Sequence, residues 1–461
     1  MIFYMKLVAL VLVLPCAYSA ANMGGFNTEK IRDLILLLLG SVGFHPIKLD
    51  RLTMIALAVA FVVVSWFLYK LWQLLFVPMK LFRSLGDTGY IPDGIRPIRD
   101  IAKETKRQRR TGDLPPVYPN GWFHILSSWE VKLKEVKFVC VLGEHLAVFR
   151  GEDGAVSIID AYCPHLGANL AIGGQIVGDC IKCPFHGWEF RGTDGMCTKI
   201  PYTKNIPSVA KVKAWPCLER NCSIMLWYHA EGAEPSWLPE EVEEITNGEW
   251  VYGGQTTHVI NAHCEEIPEN GADINHLDHL HGSPILAGAD LRYIFSSKWL
   301  EIMHHAWDAS WSVDESNKHV GLLTLKHAVR IFGYRLPLLD FFLSARQIGP
   351  GLVYMYFTSF FGNGIFLHTV TPEEPLLQRV EHRMYSSSYM PTIIAKFYLY
   401  GESIQIERDI MIWNHKKYMY KALLVKEDHL IGKHRRWYSQ FYSENSPSYA
   451  DAMSKGKHAE W

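Results

Sequence analysis

Two hydrophobic periodicities divide this chain. From Leu52 to Val77 the sequence runs 26 residues with a single charge, Lys70, near one end. Leu52 to Tyr69 alone gives eighteen uncharged residues, enough for a helix to cross the roughly 30 Å hydrocarbon core of a bilayer. Trp66, Tyr69 and Trp72 suit the interfacial level, and Lys70 can extend its stem to reach it. A transmembrane helix is therefore expected over 52–77. Ahead of it, the apolar run Leu7 to Leu14 and the small residues around Ala17 to Ala20 outline a signal sequence with Lys6 as its only basic residue. That segment is either cleaved or retained as a hydrophobic N-terminus. Leu34 to Leu39 is apolar but too short to span a membrane alone.

Beyond Pro115-Pro116 the pattern shortens to β runs: Val136 to Leu142, Leu146 to Phe149, Val156 to Asp160 and Ile224 to Tyr228. Glu152-Asp-Gly154 and Thr193-Asp-Gly195 fall between such runs as turn signals. A small antiparallel domain follows from this alternation. Further on, Val320 to Leu325, Leu336 to Leu343 and Val353 to Phe366 read as core strands, with a long pocket wall as the alternative.

Composition adds the compartment. The chain of 461 residues has 46 Lys+Arg against 47 Asp+Glu, which argues against a nucleic-acid partner. Its hydrophobic content of 49% is partly explained by the N-terminal segments. From Pro78 to Arg110 there are nine Lys/Arg, against four between Ala21 and Arg51, so the positive-inside rule puts the C-terminal bulk in the cytosol. The basic run Lys103 to Arg110 reads as a solvated linker or a contact to anionic headgroups. Nine cysteines, irregular and odd in number, do not form a secreted disulfide framework.

The chemistry concentrates in Cys163-Pro-His165-Leu-Gly167, fifteen residues, then Cys183-Pro-Phe-His186-Gly-Trp188. Two loops, each with one thiolate and one imidazole, supply what a Rieske [2Fe–2S] centre needs: two cysteines on one iron and two histidines on the other. Structural zinc can also use Cys₂His₂, but in the order Cys-x₂₋₄-Cys then His-x₃₋₅-His. Respiratory Rieske proteins carry two extra cysteines bridging the loops. Here Ala168 occupies the first of those places, and Phe185 and Gly187-Trp188 surround the second histidine. The pattern resembles the low-potential cluster of Rieske oxygenases, as does Asn120-Gly-Trp-Phe123.

An electron carrier needs somewhere to deliver its electrons. Two histidines and one carboxylate on one face of an iron leave positions open for O₂ and substrate. His276, His279 and His281 are the histidines within reach of one another. His276 and His281 lie about 140° apart on an ideal helix, so both can reach one metal only if the helix is distorted or ends between them. The Asp-x₂-His-x₄-His pattern of Rieske oxygenases falls on Asp273, His276 and His281. The resemblance implies that the histidines bind iron while Asp273, with His186 and His276 as partners, couples the centres of neighbouring subunits. Asp409-Ile-Met-Ile-Trp413 resembles the Asp-Ile-x-Ile-Trp segment of steroid-type members, whose aspartate is the third ligand. Glu402, Glu407, Glu373 and Glu374 are weaker candidates; the pairs His304/His305 and His258/His263 read as structural.

With Arg435 to Tyr442 also similar, the resemblance covers Pro115 to Tyr442, and the nearest group is the cholesterol 7-desaturase (Neverland-type) family. It implies an α+β chain: a transmembrane helix, an all-β Rieske domain, then a helix-grip-like antiparallel sheet domain with helices. The expected divisions are 1–51 hydrophobic segment, 52–77 membrane helix, 78–114 basic linker, 115–230 Rieske domain, 231–445 mononuclear iron domain and 446–461 tail. The expected cofactors are the [2Fe–2S] cluster and mononuclear Fe(II), with NAD(P)H acting through a separate reductase or ferredoxin. No nucleotide fingerprint is present: Gly362-Asn-Gly364 lacks a third glycine. Sterol and O₂ are the implied substrates, a homotrimer the implied assembly, and the endoplasmic reticulum membrane the implied location. The alternatives are hydroxylation of another steroid or lipid, and a pure electron-transfer protein with one iron centre.

Overall fold

The structure is a computed structural model that describes residues 51–296 and 302–457. Met1 to Ala20 and Leu34 to Leu39 lie outside the described residues. The chain divides into two units, Met1–Gln73 and Leu74–Trp461. In the first, the described residues form most of a 26-residue helix, Arg51–Phe76. From Ile55 to Phe76 it is long and apolar enough to cross a membrane, and its apolar window is 0% buried, unlike the core helix of a soluble domain.

The second unit begins with a correction to the linker reading. Residues 78–114 do more than connect: Met79–Arg83 is a strand paired in parallel with Trp250–Asn261. It forms the edge of a nine-stranded sheet. The basic run is not uniformly solvated either. Arg109 has a side chain only 4% exposed, facing Glu266 at 3.4 Å, and it donates to the Asn261 carbonyl.

The cluster-bearing motifs sit in an all-β body of three small sheets. One contains Val136–Val141, Glu144–Arg150 and Val156–Asp160. A second pairs Cys217–Arg220, Ser223–Tyr228 and Gly121–Ser127. The third runs from Gln175–Val177 to Cys197–Lys199. Ile125, Leu146, Ile158 and Leu226 fill one core. Phe149, Leu170, Ile181 and Phe190 fill another, in which Cys163 and Cys183 are also buried. Among the described residues, 446–457 are not a loose tail, because the helix Tyr449–Lys457 packs Tyr449 and Ala452 onto the first core.

The large sheet continues from Trp250–Asn261 through Leu377–Ser387, Gly362–Glu374, Leu352–Ser359, Phe341–Ile348 and Val320–Ile331 to Met303–Val313, antiparallel throughout. The long helix Thr392–Trp413 lies on it, burying Ala395, Leu399, Ile406 and Ile410 along with Glu407, Arg408 and Asp409. Apolar and charged residues face inward together, so this helix carries no clean amphipathic stripe. The two bodies are fastened by polar contacts: Arg379 donates to the Ile125 carbonyl at 2.9 Å, Thr371 to the His124 carbonyl at 2.7 Å, and Glu381 meets His124 at 3.2 Å.

Candidate metal centres

The two Cys/His loops are built alike. In each, the cysteine carbonyl accepts from a glycine N–H four residues on: Gly167 to Cys163 at 2.9 Å and Gly187 to Cys183 at 3.1 Å. Both glycines have φ of 74°, a left-handed turn that a side chain disfavours. The thiols are buried, while His165 and His186 are half-buried at the surface. The imidazoles stand 4.7 Å apart, and His165 stacks on Trp188 at 4.8 Å. Burial, with Cys183 beside it, raises the Cys163 thiol above its usual range. A bound cation's field would remove that proton. Two convergent thiols beneath two surface imidazoles fit a cluster with one all-sulfur and one imidazole-ligated iron.

The second centre forms where a short helix stops. The helix Asn275–Leu280 ends before His281, whose φ of −102° and ψ of 3° are no longer helical. This break brings His276 and His281 to a ring separation of 5.0 Å. Donor atoms of His276, His281 and Asp409 all lie within 4.8 Å of one another. The intervening His279 is exposed on the helix.

Hydrogen bonds orient both rings. His276 Nδ1 is bonded to the Asp273 carbonyl, and His281 Nδ1 donates to Gln405 Oε1 at 2.7 Å. Each leaves Nε2 as the lone-pair donor, and His281 Nε2 faces Asp409 at 3.3 Å. Two imidazole nitrogens and a carboxylate oxygen suit ferrous iron. The Asp273 carboxylate lies 4.0 Å from His276 Nδ1 and is one-third exposed.

Sequence reasoning missed Gln405 and Arg408. The guanidinium of Arg408 is fully buried and donates to the carbonyls of Leu280, Ser283, Pro284 and Gly288 as well as to Gln405 Oε1. It thereby ties the loop after His281 to the long helix. The signal for Gln405 was present: positions 402, 405 and 409 share one helical face. Gln405→Leu should leave His281 Nδ1 without its acceptor and weaken iron binding about 10- to 100-fold, measured by competition with a chelator. Unchanged affinity would remove Gln405 from the site.

A cavity of about 500 Å³ opens onto His276, His281 and Asp409. Its walls include Leu323, Leu325, Leu343, Val353 and Phe366, so the runs read as core strands also line a pocket. Polar groups interrupt this lining at His305/His327 and at His368/His382/Glu402. Of the histidines read as structural, His305 therefore reaches the cavity wall, with Nδ1 2.6 Å from His327 Nε2. His258 is bonded to Glu407 at 3.4 Å and His263 to the Pro116 carbonyl at 3.2 Å, both buried.

An all-β body with paired Cys/His loops, joined to a sheet-and-helix body with a two-histidine, one-carboxylate cradle, defines a Rieske-type non-haem iron oxygenase. Comparison with known proteins agrees. The Rieske [2Fe-2S] domain family matches residues 121–215, and the 3-ketosteroid 9alpha-hydroxylase C-terminal domain family matches residues 226–442. A curated cholesterol 7-desaturase of Xenopus laevis is 52% identical over 378 residues, 82% of this chain and 83% of that protein. One of Hemicentrotus pulcherrimus is 48% identical, covering 85% and 84%. The crystal structure of dicamba monooxygenase with non-heme iron and dicamba is 16% identical, with a TM-score of 0.47 over 70% of this chain and 97% of that one. The chain belongs to the cholesterol 7-desaturase family. It is an oxidoreductase acting on sterols with O₂, using a Rieske cluster, mononuclear iron and reductase-supplied electrons.

Proposed function

We propose that this protein is a membrane-anchored cholesterol 7-desaturase, converting cholesterol to 7-dehydrocholesterol. Cys163, His165, Cys183 and His186 hold the cluster, and His276, His281 and Asp409 hold the mononuclear iron. Bound there, the cluster would supply single electrons and the ferrous iron would supply the O₂ chemistry for removal of two hydrogens from an unactivated carbon pair. The observation that carries the reading is the apolar cavity ending on the three-residue cradle. Its volume falls within the range of small-molecule sites.

The chain's own residues supply position and dryness. The Asp273 carbonyl and Gln405 hold the His276 and His281 imidazoles through Nδ1, and His281 Nε2 faces Asp409 at 3.3 Å. Leucines, valines and phenylalanines around the cavity exclude water, which protects a reactive centre from side reactions. Asp273 is a positioning residue: its one-third-exposed carboxylate beside His276 is available to the His186 imidazole of a neighbouring subunit in a homotrimer. The helix Ile55–Phe76 anchors the enzyme in the endoplasmic reticulum membrane with the catalytic unit cytosolic. There a lipid substrate and a reductase are both at hand.

The test is sterol analysis of cells lacking 7-desaturase activity, fed labelled cholesterol and expressing the protein or Asp409→Ala with a working reductase. Labelled 7-dehydrocholesterol from the wild type alone is expected. Product from both would strip Asp409 of its role. Product from neither, with cluster absorbance intact, would reject cholesterol as the substrate.

A further inference from the structure

Of the polar groups in the cavity that neither metal centre uses, one set includes a carboxylate. Glu402, His382 and His368 come from three different elements, the long helix and the strands Leu377–Ser387 and Gly362–Glu374. His368 and His382 are directly paired across those strands. His382 Nε2 lies 2.5 Å from His368 Nδ1 and 3.3 Å from Glu402 Oε1. Burial holds both imidazoles neutral, well below their usual pKa. A proton on His382 Nε2 would serve both contacts, with His368 then carrying its own on Nε2. His382 itself is enclosed, whereas His368 is half-buried and lines the cavity. Glu402 keeps 36% of its side chain open. It lines the cavity, and burial lifts its pKa to about 7.

The cavity thus receives an acceptor, the Glu402 carboxyl, beside a donor, the His368 N–H, in walls that are otherwise mostly apolar. An alcohol satisfies both at once, because its oxygen accepts while its proton is donated. The other polar pair, His305 and His327, includes no carboxylate. Position matters as well. Glu402 precedes Asp409 by seven residues, two helical turns on one face, or about 10 Å. In cholesterol the hydroxyl-bearing C3 lies four C–C bonds along the ring edge from C7. A hydroxyl held at Glu402 would therefore set the C7 edge toward the cradle.

We propose that Glu402 and His368 form a clamp for the substrate's 3β-hydroxyl, with His382 as the positioning residue that holds them together. This inference rests on the sterol reading above. The clamp sets which carbon of a rigid, nearly featureless hydrocarbon faces the iron cradle, and it selects free sterols over hydrocarbons of the same shape.

Binding tests it without turnover. Purified full-length holoenzyme in detergent, anaerobic and without reductase, is titrated with radiolabelled cholesterol and with cholest-5-ene, which lacks only the hydroxyl. Wild type should prefer cholesterol by about 10- to 100-fold. Glu402→Leu and His368→Phe should each bring that ratio close to one while leaving cholest-5-ene affinity unchanged. Glu402→Gln, which keeps an acceptor oxygen, should retain part of the preference. His327→Phe should retain all of it. Cluster absorbance checks that each variant is folded, and Glu402→Gln with His368→Gln replace any variant that is not. A role confined to packing would weaken both ligands equally and so overturn the clamp. A preference that disappears only in His327→Phe would overturn it too. If wild type binds both ligands equally well, the clamp falls and the sterol reading stands; if it binds neither, both fall.

Discussion

Asp409→Ala is expected to lower bound iron by about one atom per chain and to reduce turnover roughly a thousandfold, with the Rieske absorption unchanged. The reasoning is local. Asp409 is the only carboxylate, among the described residues, whose oxygen joins the donor atoms of His276 and His281 within one cradle. Two imidazoles without an anionic ligand bind a divalent cation weakly, and the remaining positions would fill with water. The cluster loops belong to a separate core, around Leu170 and Phe190, that this substitution does not touch. Metal analysis with a visible spectrum reads both centres in one preparation. Full iron content and full turnover in the variant would move the third ligand elsewhere, and Glu402, two turns earlier, would be the first replacement to examine.

The other large effect concerns stability. Arg408→Met should destabilise the catalytic body by about 3–5 kcal/mol. The guanidinium is charged, fully buried and satisfied by four backbone carbonyls and Gln405. Burial depresses its pKa, but only to about 10, so it stays cationic at neutral pH. Methionine fills most of the volume and offers no donor. The carbonyls of Leu280, Ser283, Pro284 and Gly288 would then be left in a dry interior, and the loop that follows His281 would lose its tie to the long helix. Thermal unfolding followed by circular dichroism should show a midpoint several degrees lower, with iron occupancy falling alongside it. Arg408→Lys should recover little, because one ammonium cannot span acceptors spread along a loop. A midpoint within a degree of wild type would show that the loop is held by other contacts.

Some of this was legible in the sequence, for identifiable reasons. The cluster loops announce themselves because a metal cluster fixes residue type and spacing within each loop, whatever surrounds it. The apolar helix is legible because bilayer thickness fixes its length. The short strands Val156–Asp160 and Ser223–Tyr228 were readable because each is an apolar β run. Other features were not. Met79–Arg83 looked like linker because an edge strand of five residues needs no long pattern, only a partner, and that partner lies at Trp250–Asn261. The long helix Thr392–Trp413 hides its orientation, since Glu407, Arg408 and Asp409 point inward with its leucines and isoleucines.

The sequence by itself determined the class of chemistry: two Cys/His loops for a cluster, a histidine-rich segment downstream, and one membrane-length helix. Only the tertiary structure decided which groups meet. His276 and His281 converge because the helix stops at Leu280. Asp409 and Gln405 reach them from a helix more than a hundred residues away. Glu402, His382 and His368 become one polar site only when two paired strands pass beneath that helix. Local spacing is written in the chain because a motif must work before anything else packs around it. Encounters between distant segments are set by the folded sheet, where no single stretch carries the pattern.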